Sequence, residues 1–160
     1  MGRLLLGIVA ALFAASTSAQ SESRTVVGQR NPLLADGADA IRAGSYDEGI
    51  RLTTLGLETE SVTSSDRAAA LSNLCAAYAG KGDADKAIEH CNASIELGGR
   101  NWRAYSNRAY AYWLKGMYDE AARDIEVAAQ LAPEARQVAQ IRGMINERRL
   151  APNVTIEDRR

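Results

Sequence analysis

The sequence predicts an all-α protein built from repeated pairs of antiparallel helices, and three observations support this fold class. A similar phrase occurs three times, as GSYDEGIRLT, GDADKAIEHC and GMYDEAARDI. The 160 residues include only three prolines and several alanine-rich runs, and alanine has the highest helix propensity whereas proline has the lowest. With 46% hydrophobic and 24% charged residues, the chain has the composition of one folded globular domain.

Residues 1–19 have the pattern of a secretory signal peptide. Arg3 gives a positive start, the apolar run LLLGIVAALFAA follows, and small residues precede a cleavage site after Ala19. A membrane anchor is the alternative, but crossing a bilayer takes about 20 apolar residues and this run is shorter. We therefore expect export with cleavage, no membrane span in the mature chain and a flexible lead-in over residues 20–31. The short apolar run and the few cysteines favour the periplasm.

The repeated phrases stand at a fixed distance along the chain. The same offset of 34 residues relates the pairs Tyr78 and Tyr112, Gly82 and Gly116, Ala87 and Ala121, Cys91 and Ile125, and Gly99 and Pro133. The first unit is 38 residues away from the second, because the joint ETESVTSSDR is longer by four, and a surface joint tolerates such an insertion.

Each unit carries two apolar stripes with helical spacing. The first stripes are Leu71, Leu74, Cys75 and Tyr78, and then Tyr105, Arg108, Ala109 and Tyr112, with Arg108 as the charged exception. The second stripes are Ala87, Cys91, Ser94 and Ile95, and then Ala121, Ile125, Ala128 and Ala129. Between them lie KGDAD and KGMYD, where we expect Gly to end one helix and Asp to begin the next. Each unit is therefore predicted to be a helix pair.

The two ends of the array are also predicted to be helical. Pro32 suits the first turn of a helix, where its missing N–H is not needed. Residues 134–149 place Val138, Ile141 and Ile145 on one side and charged residues on the other, as expected for a helix that caps the last apolar face. Residues 150–160 are expected to form a polar tail.

The 34-residue period resembles the tetratricopeptide repeat. The resemblance rests on Leu71-x2-Leu74-Cys75-x2-Tyr78 followed by Ala87, and on Tyr105-x2-Arg108-Ala109-x2-Tyr112 followed by Ala121 and Pro133. It implies a right-handed solenoid of about three helix pairs, with repeats at about 30–63, 68–101 and 102–135 inside a domain spanning 32–149. The first unit departs from the pattern at Asp36, Thr53 and Gly56, and terminal repeats are commonly atypical.

The resemblance further implies that the first helix of each unit lines a concave surface that takes a partner. The exposed positions there would be Ser72, Asn73, Ala76, Ala79 and Gly80 in unit two, and Arg103, Ser106, Asn107, Tyr110, Trp113 and Leu114 in unit three. Asn amides donate to and accept from a peptide backbone, and aromatic rings give large rigid contacts. We predict that Asn73, Arg103, Asn107, Tyr110 and Trp113 bind an extended peptide or a partner's helix. The alternative is that Tyr110 and Trp113 pack against the capping helix.

The clamp that this family uses for a partner's C-terminal carboxylate is not predicted. Its Lys and first Asn positions fall on Leu34 and Ala38, and its final Arg position falls on Asn107, so only Asn73 matches. A shift by one unit retains Asn107 but places Gln137 and Ile141 where the cations should stand.

No pattern in the sequence indicates catalysis, a cofactor or a metal. His90 is the one histidine and is expected at an exposed position beside Glu89, without the partners a metal site needs. Acid pairs such as Asp119 and Glu120 suit helix starts, where they complement the helix dipole. The formal net charge of −1 does not indicate a basic surface for binding nucleic acid.

The two cysteines leave two readings open. Export to an oxidising compartment favours a disulfide between Cys75 and Cys91, which would join the two helices of unit two. Residue 75 should lie opposite residue 87, however, which would put residue 91 one turn away and too far for a bridge. As free thiols, both would behave as small buried apolar residues.

Together these patterns predict a non-catalytic protein–protein interaction module, an adaptor or scaffold that holds a peptide or a partner's helix in its concave face. The alternative is a structural subunit of a larger exported or envelope assembly. The oligomeric state is left open by the sequence.

Overall fold

The computed structural model describes residues 31–60 and 62–150, and these residues form seven α-helices. The helices are α1 (Pro32–Arg42), α2 (Tyr46–Leu57), α3 (Ser64–Gly80), α4 (Ala84–Leu97), α5 (Trp102–Leu114), α6 (Tyr118–Leu131) and α7 (Arg136–Leu150). The described residues contain no strand, and the predicted all-α helical repeat is confirmed. The expected signal peptide, residues 20–30 of the lead-in and residues 151–160 of the tail lie outside the described residues.

Three antiparallel helix pairs follow one another, each joined by the same short turn. Gly44, Gly82 and Gly116 occupy the turns with φ of 81°, 84° and 73°, a left-handed conformation that Gly adopts without the steric cost of a side chain. Asn31 caps α1, and its Oδ1 accepts from the backbone N–H of Leu33 at 3.0 Å. Pro32 is in the first turn of α1, as expected.

The expectation that an Asp begins each second helix is correct in unit two and wrong in unit three. Asp83 caps α4, accepting from the backbone N–H of Lys86 at 3.3 Å. Met117 stands at the equivalent place before α6 and has no side chain that can cap. Asp119 lies inside the first turn of α6, where its charge complements the helix dipole instead.

Unit one is a helix pair in spite of its departures from the repeat pattern. Gly37, Gly49, Thr53 and Gly56 are all buried between α1 and α2. A β-carbon on Gly37 would lie 2.5 Å from Oγ1 of Thr53, and one on Gly49 would lie 3.1 Å from the carbonyl oxygen of Gly37. The unusual residues of unit one therefore let two backbones approach more closely than side chains would allow.

Small residues also fill the closest contacts of the other two pairs, as expected. Cys75, Ala87, Ala109 and Ala121 are each 0% exposed, and Ile125 is 1% exposed. Helix α7 lies against α5 and α6 and buries Val138, Ile141 and Ile145 there. It covers the end of the core as a capping helix should.

The contacts between units show which side of the array is the inner one. Among the described residues, α1 contacts α3, α3 contacts α5 and α5 contacts α7, whereas α2, α4 and α6 make no contact with one another. Because the first helices are closer together than the second helices, the array curves with α1, α3, α5 and α7 on its inner face. None of the seven described helices is long and apolar enough to cross a membrane.

Candidate functional site

Several side chains remain accessible on the inner face of α3 and α5. Asn73 and Ala76 are half-buried on α3, and Tyr110 is half-buried on α5. Arg103 is exposed, and Leu114 is 37% exposed at the end of α5. We call Asn73, Ala76, Arg103, Tyr110 and Leu114 the inner-face patch.

Arg103 supplies the one charge in the inner-face patch. Its guanidinium carbon lies 4.4 Å from the centre of the Trp102 ring. Stacking on an aromatic face fixes the plane of a guanidinium while its N–H groups remain free to bind acceptors. The patch therefore offers a fixed donor next to apolar surface.

Asn107 does not present a free amide, which corrects its predicted role in binding. It is 8% exposed, its Nδ2 donates to the carbonyl oxygen of Ser72 at 3.1 Å, and its Oδ1 accepts from Nε2 of Gln137 at 2.8 Å. Both ends of the amide are thus occupied by protein groups. Asn107 links α3, α5 and α7 and positions them relative to one another.

Tyr110 and Trp113 had the alternative of packing against the capping helix, and Trp113 does contact α7. Its Nε1 donates to the carbonyl oxygen of Met144 in α7 at 3.3 Å, so the indole N–H is engaged within the protein while the side chain as a whole is half-buried. Tyr110 stacks on Trp113 with ring centres 5.9 Å apart. It also packs against two groups of buried side chains, one that includes Cys75 and Cys91 and one that includes Ile125 and Ile145. Tyr110 is half-buried, so part of its side chain remains accessible.

Four other positions expected on the concave surface do not present accessible side chains. Ser72 and Ala79 are 2% and 3% exposed, and Ser106 is fully buried. Gly80 faces the ring of Tyr46, which occupies the place of its missing side chain. The family resemblance assigned these residues to the concave surface, but Ser72, Ala79 and Ser106 are buried by close helix packing, and Gly80 has no side chain to present.

A buried ion pair between α5 and α6 was not predicted. Nε and Nη2 of Arg108 donate to the two carboxylate oxygens of Asp124 at 2.6 and 2.8 Å, and Nη1 donates to Oδ1 of Asn92 at 2.7 Å. The rings of Tyr105 and Tyr112 flank the guanidinium at 5.6 and 5.9 Å. The hydrogen bond to Asp124 raises the pKa of Arg108 above its usual value.

The sequence did contain a signal for this ion pair. Arg108 stands in an apolar stripe, and Asp124 lies next to the buried Ile125 on the facing helix. A charge on a core stripe calls for a partner of opposite charge on the helix opposite. The side chains of Arg108 and Asp124 are only 18% and 10% exposed, so the pair is held mostly away from water.

His90 is half-buried, not exposed as predicted. Its ring stacks on that of Tyr78 in the same unit, with centres 5.1 Å apart and planes 9° from parallel. Burial lowers the pKa of His90. Stacked packing explains this residue, and within residues 31–60 and 62–150 no group of three or more potential metal ligands occurs.

Cys75 and Cys91 are joined in a disulfide in the structure, with Cα atoms 5.2 Å apart. The geometric objection to this pairing was wrong, since that distance lies within the range that disulfides span. Helix α3 ends at Gly80 and α4 begins at Ala84, and this turn puts residue 91 beside residue 75. Both cysteines are 0% exposed.

Comparison with known proteins agrees with this architecture. Residues 102–135 match the family model described as tetratricopeptide repeat. The chain is 27% identical over 112 residues to DnaJ homolog subfamily C member 3 of Gallus gallus, and 25% identical over the same length to that of Mus musculus. These matches cover 70% of this chain but only 22% of either relative.

Solved structures of tetratricopeptide-repeat domains share the fold. The second such domain of human RPAP3, in complex with the HSP70 peptide SGPTIEEVD, has a TM-score of 0.60 at 24% identity and covers 71% of this chain and 92% of its own. The first such domain of Spaghetti (RPAP3), bound to the HSP90 peptide SRMEEVD, has a TM-score of 0.62 at 24% identity, with coverage of 72% and 89%. The P58(IPK) TPR domain has a TM-score of 0.67 at 23% identity. The match covers 74% of this chain and 33% of the other. The fold of this chain is therefore that of tetratricopeptide-repeat domains.

Proposed function

We propose that this protein is a non-catalytic interaction module that binds an extended peptide or a partner's helix on its inner face. The observation that carries the proposal is the inner-face patch, where an amide, a guanidinium and apolar surface remain accessible on α3 and α5. Two solved domains of the same fold are described with bound peptides, which supports a peptide as the class of ligand.

The chemistry of the inner-face patch suits a short peptide segment. The amide of Asn73 can donate to and accept from a peptide backbone, and the Arg103 guanidinium favours a carboxylate or carbonyl acceptor. Leu114 and the accessible part of Tyr110 provide contact area. With few units, the surface is short, so we expect modest affinity for a single segment.

We do not infer that this chain binds the peptides that the RPAP3 domains bind. The amide of Asn107 is occupied on both sides, and Leu34 and Ala38 stand where a carboxylate clamp would place polar side chains. We propose that recognition here relies on the inner-face patch instead of a clamp on a terminal carboxylate.

A charge reversal on the inner face should weaken peptide binding without unfolding the protein. Peptides selected from a random display library on the full chain would be titrated by fluorescence anisotropy against the wild type and against Arg103→Glu/Leu114→Asp. We expect at least tenfold weaker binding by the variant, because it loses a donor and apolar contact at exposed positions. Arg123→Glu, an exposed change on α6, is the matched control and should bind as the wild type does. Equal binding by all three proteins would contradict the proposal.

We also propose that the protein is exported with its signal peptide removed, and that the periplasm is its compartment. The buried Cys75–Cys91 disulfide supports an oxidising environment. We expect the intact mass of protein isolated from a periplasmic extract to correspond to a chain that begins at Gln20. A mature chain that retains Met1, or protein found only in the cytoplasmic fraction, would contradict this.

The alternative function, a structural subunit of a larger exported or envelope assembly, has one specific observation in its favour. One side of α7, formed by Ala139, Gly143, Asn146 and Leu150, is exposed among the described residues and is available to another subunit.

A further inference from the structure

The Cys75–Cys91 bridge joins two positions that are buried in every helix pair of the array. The residues at the same places in units one and three are also buried: Gly37 and Thr53, and Ala109 and Ile125. A β-carbon on Gly37 would lie 2.5 Å from Oγ1 of Thr53, so these two positions face each other across unit one as well. The chain has two cysteines, and unit two is therefore the one helix pair whose central contact is covalent.

The core around the bridge contains little apolar volume. Its buried members are cysteines and alanines: Cys75, Ala79, Ala87, Cys91, Ala104 and Ala111. Tyr78 and Ile88 pack against this group but stay partly exposed. The group beneath α7, by contrast, buries Val138, Ile141 and Ile145. Because hydrophobic stabilisation scales with the apolar area removed from water, we expect packing alone to hold α3 and α4 together less strongly than α5, α6 and α7.

The bridge also reaches the two helices that carry the inner-face patch. On α3, Cys75 follows Asn73 of the patch by two residues. Sγ of Cys91 lies 3.0 Å from the carbonyl oxygen of Ala104 on α5, and Ala104 is the residue after Arg103. The bond thus joins α3 to α4 and lies against the backbone of α5, next to the charge of the patch.

Helix α4 has a further contact with each of its neighbours. Towards α5, Nη1 of Arg108 donates to Oδ1 of Asn92 at 2.7 Å. Towards α3, Oγ of Ser94 donates to the carbonyl oxygen of Ala68 at 2.7 Å. A hydrogen bond contributes far less than a covalent bond, so loss of the bridge would weaken the attachment of α3 to α4 most.

We propose that the inner-face patch is complete only while Cys75 and Cys91 are joined, so that the oxidation state of this pair regulates binding. The inference rests on the proposed function of the patch. A dithiol reductant would transfer two electrons and two protons to the bridge: the S–S bond breaks, each cysteine becomes a thiol, and the two thiols of the reductant join in a disulfide. Helix α3 then separates from α4 by local unfolding and takes Asn73 away from Arg103, whereas α5, α6 and α7 stay folded.

Burial keeps the bridge in its oxidised state. Both cysteines are 0% exposed, so a reductant reaches the sulfur atoms only when α3 and α4 open transiently. Disulfides form and persist in oxidising compartments. The patch would therefore be completed by oxidation there and lost only under sustained reduction.

The test compares the oxidised chain with the same chain after reduction by excess dithiothreitol and after reoxidation. Hydrogen exchange followed by mass spectrometry should show the amides of α3 exchanging about tenfold faster in the reduced chain, with those of α6 and α7 changed by less than about twofold. Cysteine-free peptides selected on the oxidised chain would be titrated by fluorescence anisotropy. They should bind the reduced chain about tenfold more weakly, and reoxidation should restore the affinity.

Cys75→Ala/Cys91→Ile is the matched control. It gives unit two the pair that fills the same positions in unit three, Ala109 and Ile125, without a bond between them. Because the chain has no other cysteine, this variant should bind equally with and without dithiothreitol. An effect of dithiothreitol on the variant would mean that the reductant acts elsewhere than on the bridge. The comparison of oxidised with reduced wild type does not depend on this variant.

Two results would overturn the proposal. Equal affinity of the oxidised and the reduced chain would mean that the bond does not regulate the patch. Exchange in α3 that stays slow after complete reduction, or a loss of protection shared equally by α3 and all helices from α5 to α7, would mean that the bond does not act locally on α3. Absence of peptide binding by the oxidised chain would contradict the proposed function instead, and the exchange of α3 would still decide whether the bond controls that helix.

Discussion

Reduction of the Cys75–Cys91 disulfide is expected to lower the free energy of unfolding by about 3 kcal/mol, the value for a closed loop of this length. The two cysteines are separated by 16 positions and join α3 to α4 at the centre of unit two. Both are 0% exposed, so the bridge restrains the unfolded chain without exposing a polar group in the folded one. Urea denaturation at equilibrium, with and without reductant, measures the difference.

The double variant Cys75→Ala/Cys91→Ala is the control for this experiment. It should be less stable than the oxidised wild type and should not respond to reductant. Alkylation of both cysteines in denatured wild-type protein without prior reduction would show that the bridge is not formed, and would contradict the prediction.

Removal of the Asp124 carboxylate is expected to lower the free energy of unfolding by about 2–3 kcal/mol. The Arg108 guanidinium would stay partly buried but would lose the carboxylate that accepts two of its hydrogen bonds. The magnitude is at the lower end of values for buried pairs, because the Arg108 side chain remains 18% exposed. Asp124→Ala would be compared with the wild type by urea denaturation. Glu120→Ala is the matched control on the same helix, and its exposed pair with Arg123 should contribute less than about 1 kcal/mol.

A second variant separates the charge from the packing. Arg108→Leu/Asp124→Ala removes both charges and should recover part of the stability lost in Asp124→Ala, because no unpaired charge remains buried. A loss in Asp124→Ala no larger than that in Glu120→Ala would show that the pair does not stabilise the contact between α5 and α6.

The helix pairs could be predicted from the sequence because their information is local and repeated. The stripes with helical spacing, the turn glycines and the 34-residue period each point to the same arrangement, and Cys75, Ala87, Ala109 and Ala121 occupy the contacts that their size predicted. Unit one was harder to recognise, because Gly37, Gly49 and Gly56 replace side-chain packing with direct contact between backbones.

The candidate site was less predictable because it depends on how closely the helices of neighbouring units pack together. The period alone placed Asn107 and Trp113 on the inner face, but the contact with α7 engages both side chains. Asn107 bridges groups 35 and 30 residues away, which no local pattern encodes. The relation of Cys75 to Cys91 similarly depended on the exact turn between α3 and α4, where one helical turn decides whether a bridge is possible.

Hydrogen exchange of the full chain, alone and with saturating library-selected peptide, tests the central claim that the inner face is the binding site. We expect amides of α3 and α5 near Asn73, Arg103 and Leu114 to become protected, while α2, α4 and α6 are unchanged. Protection confined to the second helices, or no protection at any described helix, would contradict the claim.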